Sequence, residues 1–179
     1  MAKWPSGEHL RAMYAGGRAN LAARRFAHVW AAVFGLGLTP KRWVTLEVVG
    51  RHSGRLVRFP LGMADWEGEW YLVSISGSTA TGVQNLRAAG GRATLRRRAV
   101  ACRLVEVPVS ERPVIIKRYL DKVPGARPHI RVERHSPVAD FEAIGARYPV
   151  FKVVRDIDDP YESHVGFPGA RATPLGSGR

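Results

Sequence analysis

The sequence of 179 residues is poor in cysteine and acidic side chains and has no long apolar run. The single cysteine, Cys102, excludes an internal disulfide and a CxxC metal or redox motif. It lies in a predicted strand (AVACRLVEV), which favours a buried structural thiol over a reactive one. The longest apolar run, residues 29–38, has about half the length needed to span a bilayer. Residues 1–10 lack the apolar core of a signal peptide, so we expect a cytoplasmic protein.

The common catalytic motifs are also missing. The sequence has no GxSxG elbow, no HExxH helix, no Walker A loop and no GxGxxG after a strand. Its six histidines are scattered without metal-ligand spacing, so no metal site is predicted. If the chain is an enzyme, a bound cofactor must therefore supply the reactivity.

Positive charge is what the sequence has in excess. Lysine and arginine number 28 against 15 acidic residues, and the formal net charge is +13. Such a field attracts nucleic acid, anionic lipid or a multiply charged cofactor, although the abundance of arginine can also reflect GC-rich codon usage. No aromatic residue interleaves the densest cluster, which argues against nucleic acid as the partner. Alternation along a strand should divide this cluster over two faces; it comprises Arg87, Arg92, Arg96, Arg97, Arg98 and Arg103.

The hydrophobic pattern predicts a small barrel with helices attached. Residues 8–38 show helical spacing interrupted at a glycine pair, which predicts two helices. Short segments rich in β-branched and aromatic residues predict about six strands, at 43–49, 56–64, 69–76, 92–97, 99–107 and 150–154. A short helix is predicted at 84–89, and two later ones run from Ser110 to Val123 and from Ser136 to about Arg147.

These elements divide the chain into three parts. An N-terminal helical segment covers residues 1–42, a mainly β (α+β) cofactor-binding domain covers 43–155, and a flexible tail covers 156–179.

Two loops carry the polar groups that a phosphate would need. The turn GRHSGR at residues 50–55 combines glycines, which allow a sharp reversal, with arginine, histidine and serine donors. The segment SISGST at residues 74–79 ends a strand in small hydroxyl residues, which let a ligand approach the backbone closely. Each loop also has an ordinary interpretation. Residues 50–55 could be a solvated hairpin turn, and residues 74–79 could be a flexible polar loop.

The strings GRHSGRLVRFPL, YLVSISG and NLRAAGG, in this order, resemble the deazaflavin-dependent nitroreductase and quinone reductase family of actinobacteria. The resemblance covers about residues 20–154. It implies a split β-barrel that binds coenzyme F420, a deazaflavin with a phosphate and an oligoglutamate tail. It also implies an oxidoreductase that transfers a hydride from the reduced cofactor to a quinone, a nitroaromatic or a similar electron-poor acceptor.

The resemblance also implies which residues hold the cofactor. Residues of the basic turn hold the anionic side of the cofactor, residues of the following strand lie beside the cofactor, and a third group lies against its deazaflavin ring. In sequence order these are Arg51, His52, Ser53, Gly54, Val57, Arg58, Phe59, Pro60, Leu61, Gly62, Ser74, Ile75, Ser76, Gly77, Val83 and Asn85. Catalytic residues are unknown, and the polar candidates on the substrate side are Tyr119, His129 and Tyr148, with His135 beside them.

Several alternatives stay open at this stage. The chain could be a split-barrel carrier of a deazaflavin or lipid-like ligand without efficient turnover, or an FMN-binding split-barrel protein. It could act as a monomer or a homodimer. The apolar stripe of residues 8–38, flanked by arginines, either packs on the barrel or docks on the anionic inner face of the cell membrane, which would make the protein peripheral.

Overall fold

The computed structural model describes residues 42–96 and 100–155, together with the single residue 29. Several predictions fall outside these ranges: the two helices within 8–38 and their membrane contact, the tail from 156 to 179, and the side chains of Arg97 and Arg98.

Seven antiparallel strands form one sheet in the order β2-β1-β5-β6-β7-β4-β3. The strands are β1 (Trp43–Val49), β2 (Leu56–Gly62), β3 (Ala64–Trp66), β4 (Glu69–Val73), β5 (Arg92–Leu95), β6 (Val100–Glu106) and β7 (Val150–Arg155). All six predicted strands are present.

The seventh strand comes from the end of the predicted strand 56–64. That strand stops at Gly62, and β3 pairs with β4 in a separate hairpin. Glu67 and Gly68, with φ values of 50° and 80°, form its two-residue turn. Positive φ at both positions matches the twist of a tight hairpin, and the turn lies between the predicted strands 56–64 and 69–76.

The sheet curls because its two edge strands are neighbours in the chain. Strands β2 and β3 lie at opposite edges, and only Met63 separates them in sequence. In a flat sheet these edges would lie six strand spacings apart, roughly 29 Å. One residue spans only about 7 Å. The sheet therefore rolls into a split barrel, which confirms the mainly β fold class.

Three helices complete the described fold: α1 (Thr81–Ala88), α2 (Arg112–Lys122) and α3 (Val138–Gly145). Short 3₁₀ turns precede and follow α2, at Val109–Glu111 and Pro124–His129. The two later helices are confirmed with shorter ends. Helix α1 begins three residues earlier than predicted because Ala80 occupies its N-cap, a residue that gives no capping signal.

Two apolar clusters hold the fold together. Alternate residues of β1, β5, β6 and β7 point into the barrel, where Val83 and Leu86 of α1 join them. The second cluster lies between α2 and the outer side of β3 and β4, with Phe141 of α3 fully buried in it. Helix α1 therefore belongs to the barrel interior, whereas α2 and α3 cover part of its outside.

Candidate functional site

The basic turn, residues 50–55, is closed by its own backbone. The amide of Gly50 donates to the carbonyl of Arg55, and the amide of Gly54 donates to the carbonyl of Gly50, both at 2.8 Å. A Cβ on Gly50 would lie 2.9 Å from Ser53 Oγ and 3.1 Å from the carbonyl oxygen of Arg55, so the turn closes tightly over this glycine. The remaining side chains, Arg51, His52 and Arg55, are exposed. The turn therefore presents two guanidinium groups and an imidazole from a fixed backbone.

A pair of hydrogen bonds attaches this turn to helix α1. The backbone amide of Arg51 lies 3.3 Å from Asn85 Oδ1, and its Nη1 donates to the same oxygen at 3.1 Å. Asn85 is 3% exposed. The amide oxygen of a buried asparagine thus fixes the position of an exposed arginine, 34 residues away in sequence.

The N-terminus of α1 has no side-chain cap. Its N-cap residue, Ala80, makes no capping hydrogen bond, and the first turn holds no acidic residue. The first amides of a helix have no partner within the helix, and they carry a partial positive charge. A Cβ at Gly82 would lie 3.4 Å from the ring of Phe59, so the helix start packs closely on β2. The basic turn and α1, which are joined at Asn85, therefore both offer hydrogen-bond donors.

The Gly/Ser loop, residues 74–80, leads into this helix. Ser74 Oγ donates to the carbonyl of Gly77 at 2.9 Å, while the Ser74 amide donates to the carbonyl of Pro149. Gly77 has φ 81°, which suits glycine. Ile75 packs against the helix-covered cluster. Ser76 is exposed, so its hydroxyl faces solvent, whereas the Ser74 hydroxyl is bonded within the loop. We call the basic turn, this loop and the first half of α1 the site rim.

The predicted residues of β2 do not share one surface. Phe59 and Leu61 pack against the barrel core, and strand alternation puts Val57 on the same side. Arg58 and Pro60 face outward. Gly62 lies at the far end of the strand, where a Cβ would meet Val123 at 2.7 Å. Among the other predicted residues, Val83 is buried in the barrel. The structure thus brings Arg51, Asn85, Phe59 and Gly82 together, and it places Gly62 at a distance from them.

A buried carboxylate on β1 was not predicted. Glu47 lies opposite Arg58 in the β1–β2 pair and accepts a hydrogen bond from its Nε. Arg96 Nη1 lies 3.3 Å from the same carboxylate oxygen, and the Glu47 side chain is 8% exposed. A lone acid within an apolar strand (VTLEVV) is the signal that could have identified it, because buried charges require partners. Of the arginine cluster, Arg92, Arg96 and Arg103 face outward. The predicted division of the cluster over two faces also involves Arg97 and Arg98, which lie outside the described residues.

The candidates for the substrate side lie in the other cluster. Tyr119 and Tyr148 are each 3% exposed and belong to the core beneath α2. Burial raises the pKa of Tyr119. The Tyr148 hydroxyl donates to the carbonyl of His129 at 3.1 Å. His135 follows in the segment before α3. Both tyrosine rings therefore contribute to the packing of the helices, in the cluster against which Ile75 of the site rim also packs.

The described ranges contain neither a cluster of metal ligands nor a helix that could span a membrane. Within residues 42–96 and 100–155, no three metal-ligating side chains converge. In the same part of the chain, no helix has both the length and the apolar character required to cross a bilayer.

Comparisons with known proteins add little beyond this geometry. No family model matches the chain, and no curated protein matches it. The crystal structure of a protein of unknown function from Agrobacterium tumefaciens is 14% identical to this chain, with a TM-score of 0.48. The match covers 70% of this chain and 53% of that one, so this chain spans about half the length of that protein. An F420 reductase is 15% identical with a TM-score of 0.42, over 63% of this chain and 85% of that one. A FAD-binding protein from Mesorhizobium loti is 14% identical with a TM-score of 0.42, over 70% and 89% of the two chains.

Proposed function

We propose that the site rim binds the phosphate-bearing side of a deazaflavin, coenzyme F420, and that the protein is a reductase of electron-poor acceptors such as quinones or nitroaromatics. The observation that carries the proposal is the attachment of Arg51 to Asn85, which joins the basic turn to the middle of α1, a helix whose start has no side-chain cap. The resemblance of GRHSGRLVRFPL and YLVSISG to the deazaflavin-dependent family supports the choice of cofactor.

The donor set fits an anionic group. Arg51, His52 and Arg55 are exposed on one turn, and α1, whose first turn has no side-chain cap, is attached to that turn through Asn85. No described acidic residue belongs to the turn, the loop or α1. Helix N-termini and arginine forks are the two commonest protein partners of phosphate, and here they share one rim.

The rim residues have different tasks in this proposal. The reduced deazaflavin supplies the hydride when it is bound. Arg51, His52 and Ser53 bind its anionic side, Ser76 and Gly77 lie against the ring, and Gly54 shapes the turn. Val83 and Asn85 are buried, so they act by positioning the helix and Arg51 rather than by contact. Arg58 is held by Glu47 and contributes from the outer side of β2.

Chemistry at the acceptor needs no covalent protein intermediate, because hydride transfer takes place between the cofactor and the acceptor. The candidates Tyr119, His129 and Tyr148 stay proposals for the substrate side, and a role for either tyrosine would require a contact made from the core beneath α2.

Two measurements test the function. Purified protein is titrated with F420, FMN and NADPH by fluorescence, and reduced F420 is then mixed with menadione. We expect saturable binding of F420 in preference to FMN, and acceptor-dependent oxidation of the bound cofactor. Tight F420 binding without turnover would instead support a carrier, and preferential FMN binding would support the FMN alternative.

Two substitutions test the residues. Arg58→Ala should weaken F420 binding by about 1–3 kcal/mol, the range for hydrogen bonds to charged groups. His52→Ala should weaken it in the same direction. Glu133→Gln, a substitution of an exposed residue outside the rim, serves as the control. Unchanged affinity in both the Arg58 and His52 variants would remove these two residues from the site.

A further inference from the structure

The outer face of the barrel carries exposed aliphatic side chains in one place. Within residues 42–96 and 100–155, six large aliphatic residues are strongly exposed, and four of them, Val49, Leu56, Val105 and Val154, point outward from this sheet face. Scattered single residues of this kind are ordinary, but a concentration on one face marks an interaction surface.

The strand register arranges three of these residues in a line. Leu56 lies opposite Val49, and Val154 lies opposite Arg103, which in turn lies opposite Arg92. The β1–β5 register, extended by two residues beyond Glu47 and Thr94, places Val49 opposite Arg92. One row therefore crosses five strands of the curled sheet, roughly 19 Å along its outer surface. We call it the outer row: Leu56, Val49, Arg92, Arg103 and Val154.

The centre of the outer row is a pair of like charges. Arg92 and Arg103 are directly opposite one another and both are exposed. Like charges in directly opposite positions destabilise a sheet. The acids on this side of the sheet are occupied, since Glu47 binds Arg58 and Arg96, and Glu69 of β4 binds Lys152. An external anion would remove the repulsion.

The apolar flanks favour a bilayer over a dissolved anion. Leu56 and Val49 are 61% and 48% exposed at the end of the β1–β2 hairpin, next to the basic turn, and Val154 is 38% exposed at the other end of the row. A soluble phosphate would neutralise the arginines but gain nothing from the aliphatic groups. A membrane surface offers anionic headgroups beside hydrocarbon, and surfaces that bind there combine arginine with aliphatic residues.

We propose that the outer row docks on an anionic lipid bilayer, with Arg92 and Arg103 on the headgroups and the hairpin end at Val49 and Leu56 entering the interface. This surface differs from the segment 8–38, for which the sequence predicted membrane contact, and it is independent of the cofactor proposal.

The test is co-sedimentation of the full-length protein with phosphatidylcholine vesicles, with and without phosphatidylglycerol. Wild-type protein should sediment only with the anionic vesicles. The double variant Arg92→Gln/Arg103→Gln should bind about thirtyfold more weakly, because each arginine near such a surface is worth about a factor of five. Val49→Ser/Leu56→Ser should bind at least about fivefold more weakly through lost apolar burial.

A matched control separates docking from net charge. Arg131→Gln/Arg134→Gln removes the same two charges from the helical side, where Arg134 pairs with Asp121 of α2. It should retain most of the binding. The proposal is overturned if wild-type protein does not sediment, if the control loses as much binding as Arg92→Gln/Arg103→Gln, or if the aliphatic variant binds like wild type. Thermal unfolding of each variant confirms that it is folded.

Discussion

We expect Glu106, at the end of β6, to stabilise the fold measurably at neutral pH but not in acid. Its carboxylate accepts from Arg87 at 3.0 and 2.8 Å and from Arg112 at 3.1 Å. The side chain of Arg112 is only 8% exposed, and it also donates to the carbonyls of Val107 and Gly145. The ion network therefore connects the sheet to α2 and the end of α3.

The expected magnitude follows from the two arms of the network. Arg87 is 45% exposed, so its arm is worth less than about 1 kcal/mol. The buried arm to Arg112 is worth about 1.5–3 kcal/mol, as for other hydrogen bonds to charged groups. Glu106→Gln should thus lower the free energy of unfolding by about 2–3 kcal/mol at pH 7. Glu69→Gln, which breaks the exposed pair with Lys152, should cost less than about 1 kcal/mol.

The direction in which this stabilisation changes with pH follows from the pKa of Glu106. The hydrogen bonds from Arg87 hold the pKa of Glu106 below its ordinary value of 4.5, against the opposing effect of burial. A lowered pKa in the folded state means that the stabilisation is complete above the unfolded-state pKa and disappears as the pH falls through the folded-state value.

Urea unfolding should therefore show a gap between wild type and Glu106→Gln that is constant from pH 7 to about pH 5 and shrinks towards about pH 3. A gap equal to that of Glu69→Gln, or one that persists in acid, would refute the reasoning.

Three further substitutions test a glycine with positive φ, the packing of the core and the buried thiol. Gly91→Ala should lower the free energy of unfolding by about 2 kcal/mol or more, because Gly91 has φ 81° and a Cβ there would lie 2.6 Å from the carbonyl oxygen of Leu104; chemical denaturation measures it. Phe141→Ala removes a fully buried ring and should cost about 3–5 kcal/mol by the same measurement. Cys102 is 1% exposed, so Ellman's reagent should modify it only after unfolding, and Cys102→Ala should leave the rate of acceptor reduction unchanged; fast labelling of the folded protein would contradict this.

The local pattern predicted most elements of this fold because strands and turns here follow short-range rules. The hairpin at Glu67 and Gly68 was predicted from turn residues between two apolar runs. The break at Met63 was not, because it depends on how the sheet closes, and the run from Leu56 to Trp66 reads as one strand locally. Similarly, the start of α1 was missed because Ala80 is no capping residue, while the fit of Val83 and Leu86 into the barrel decides where the helix lies.

The site was predicted less completely because contacts between distant residues decide it. The basic turn and Asn85 were both named from the sequence, but the hydrogen bonds that join them span 34 residues and have no local signal. Glu47 was missed for the same reason: its partners Arg58 and Arg96 come from two different strands and meet only through the sheet register. Residues 57–62 were all assigned to the cofactor from the resemblance, but strand alternation divides them between two faces, with Phe59 inside and Arg58 outside.

The most direct test of the central claim is the affinity for F420 of Arg51→Gln beside that of Arg131→Gln, measured by fluorescence titration at fixed salt. Both variants remove one exposed arginine, so they change the net charge equally, but only Arg51 is held at the site rim by Asn85. The account predicts that Arg51→Gln binds about tenfold or more weakly than wild type, as expected for a charged hydrogen bond to phosphate, while Arg131→Gln stays close to wild type. Equal affinity of the two variants, or the absence of saturable F420 binding by the wild-type protein, would contradict it.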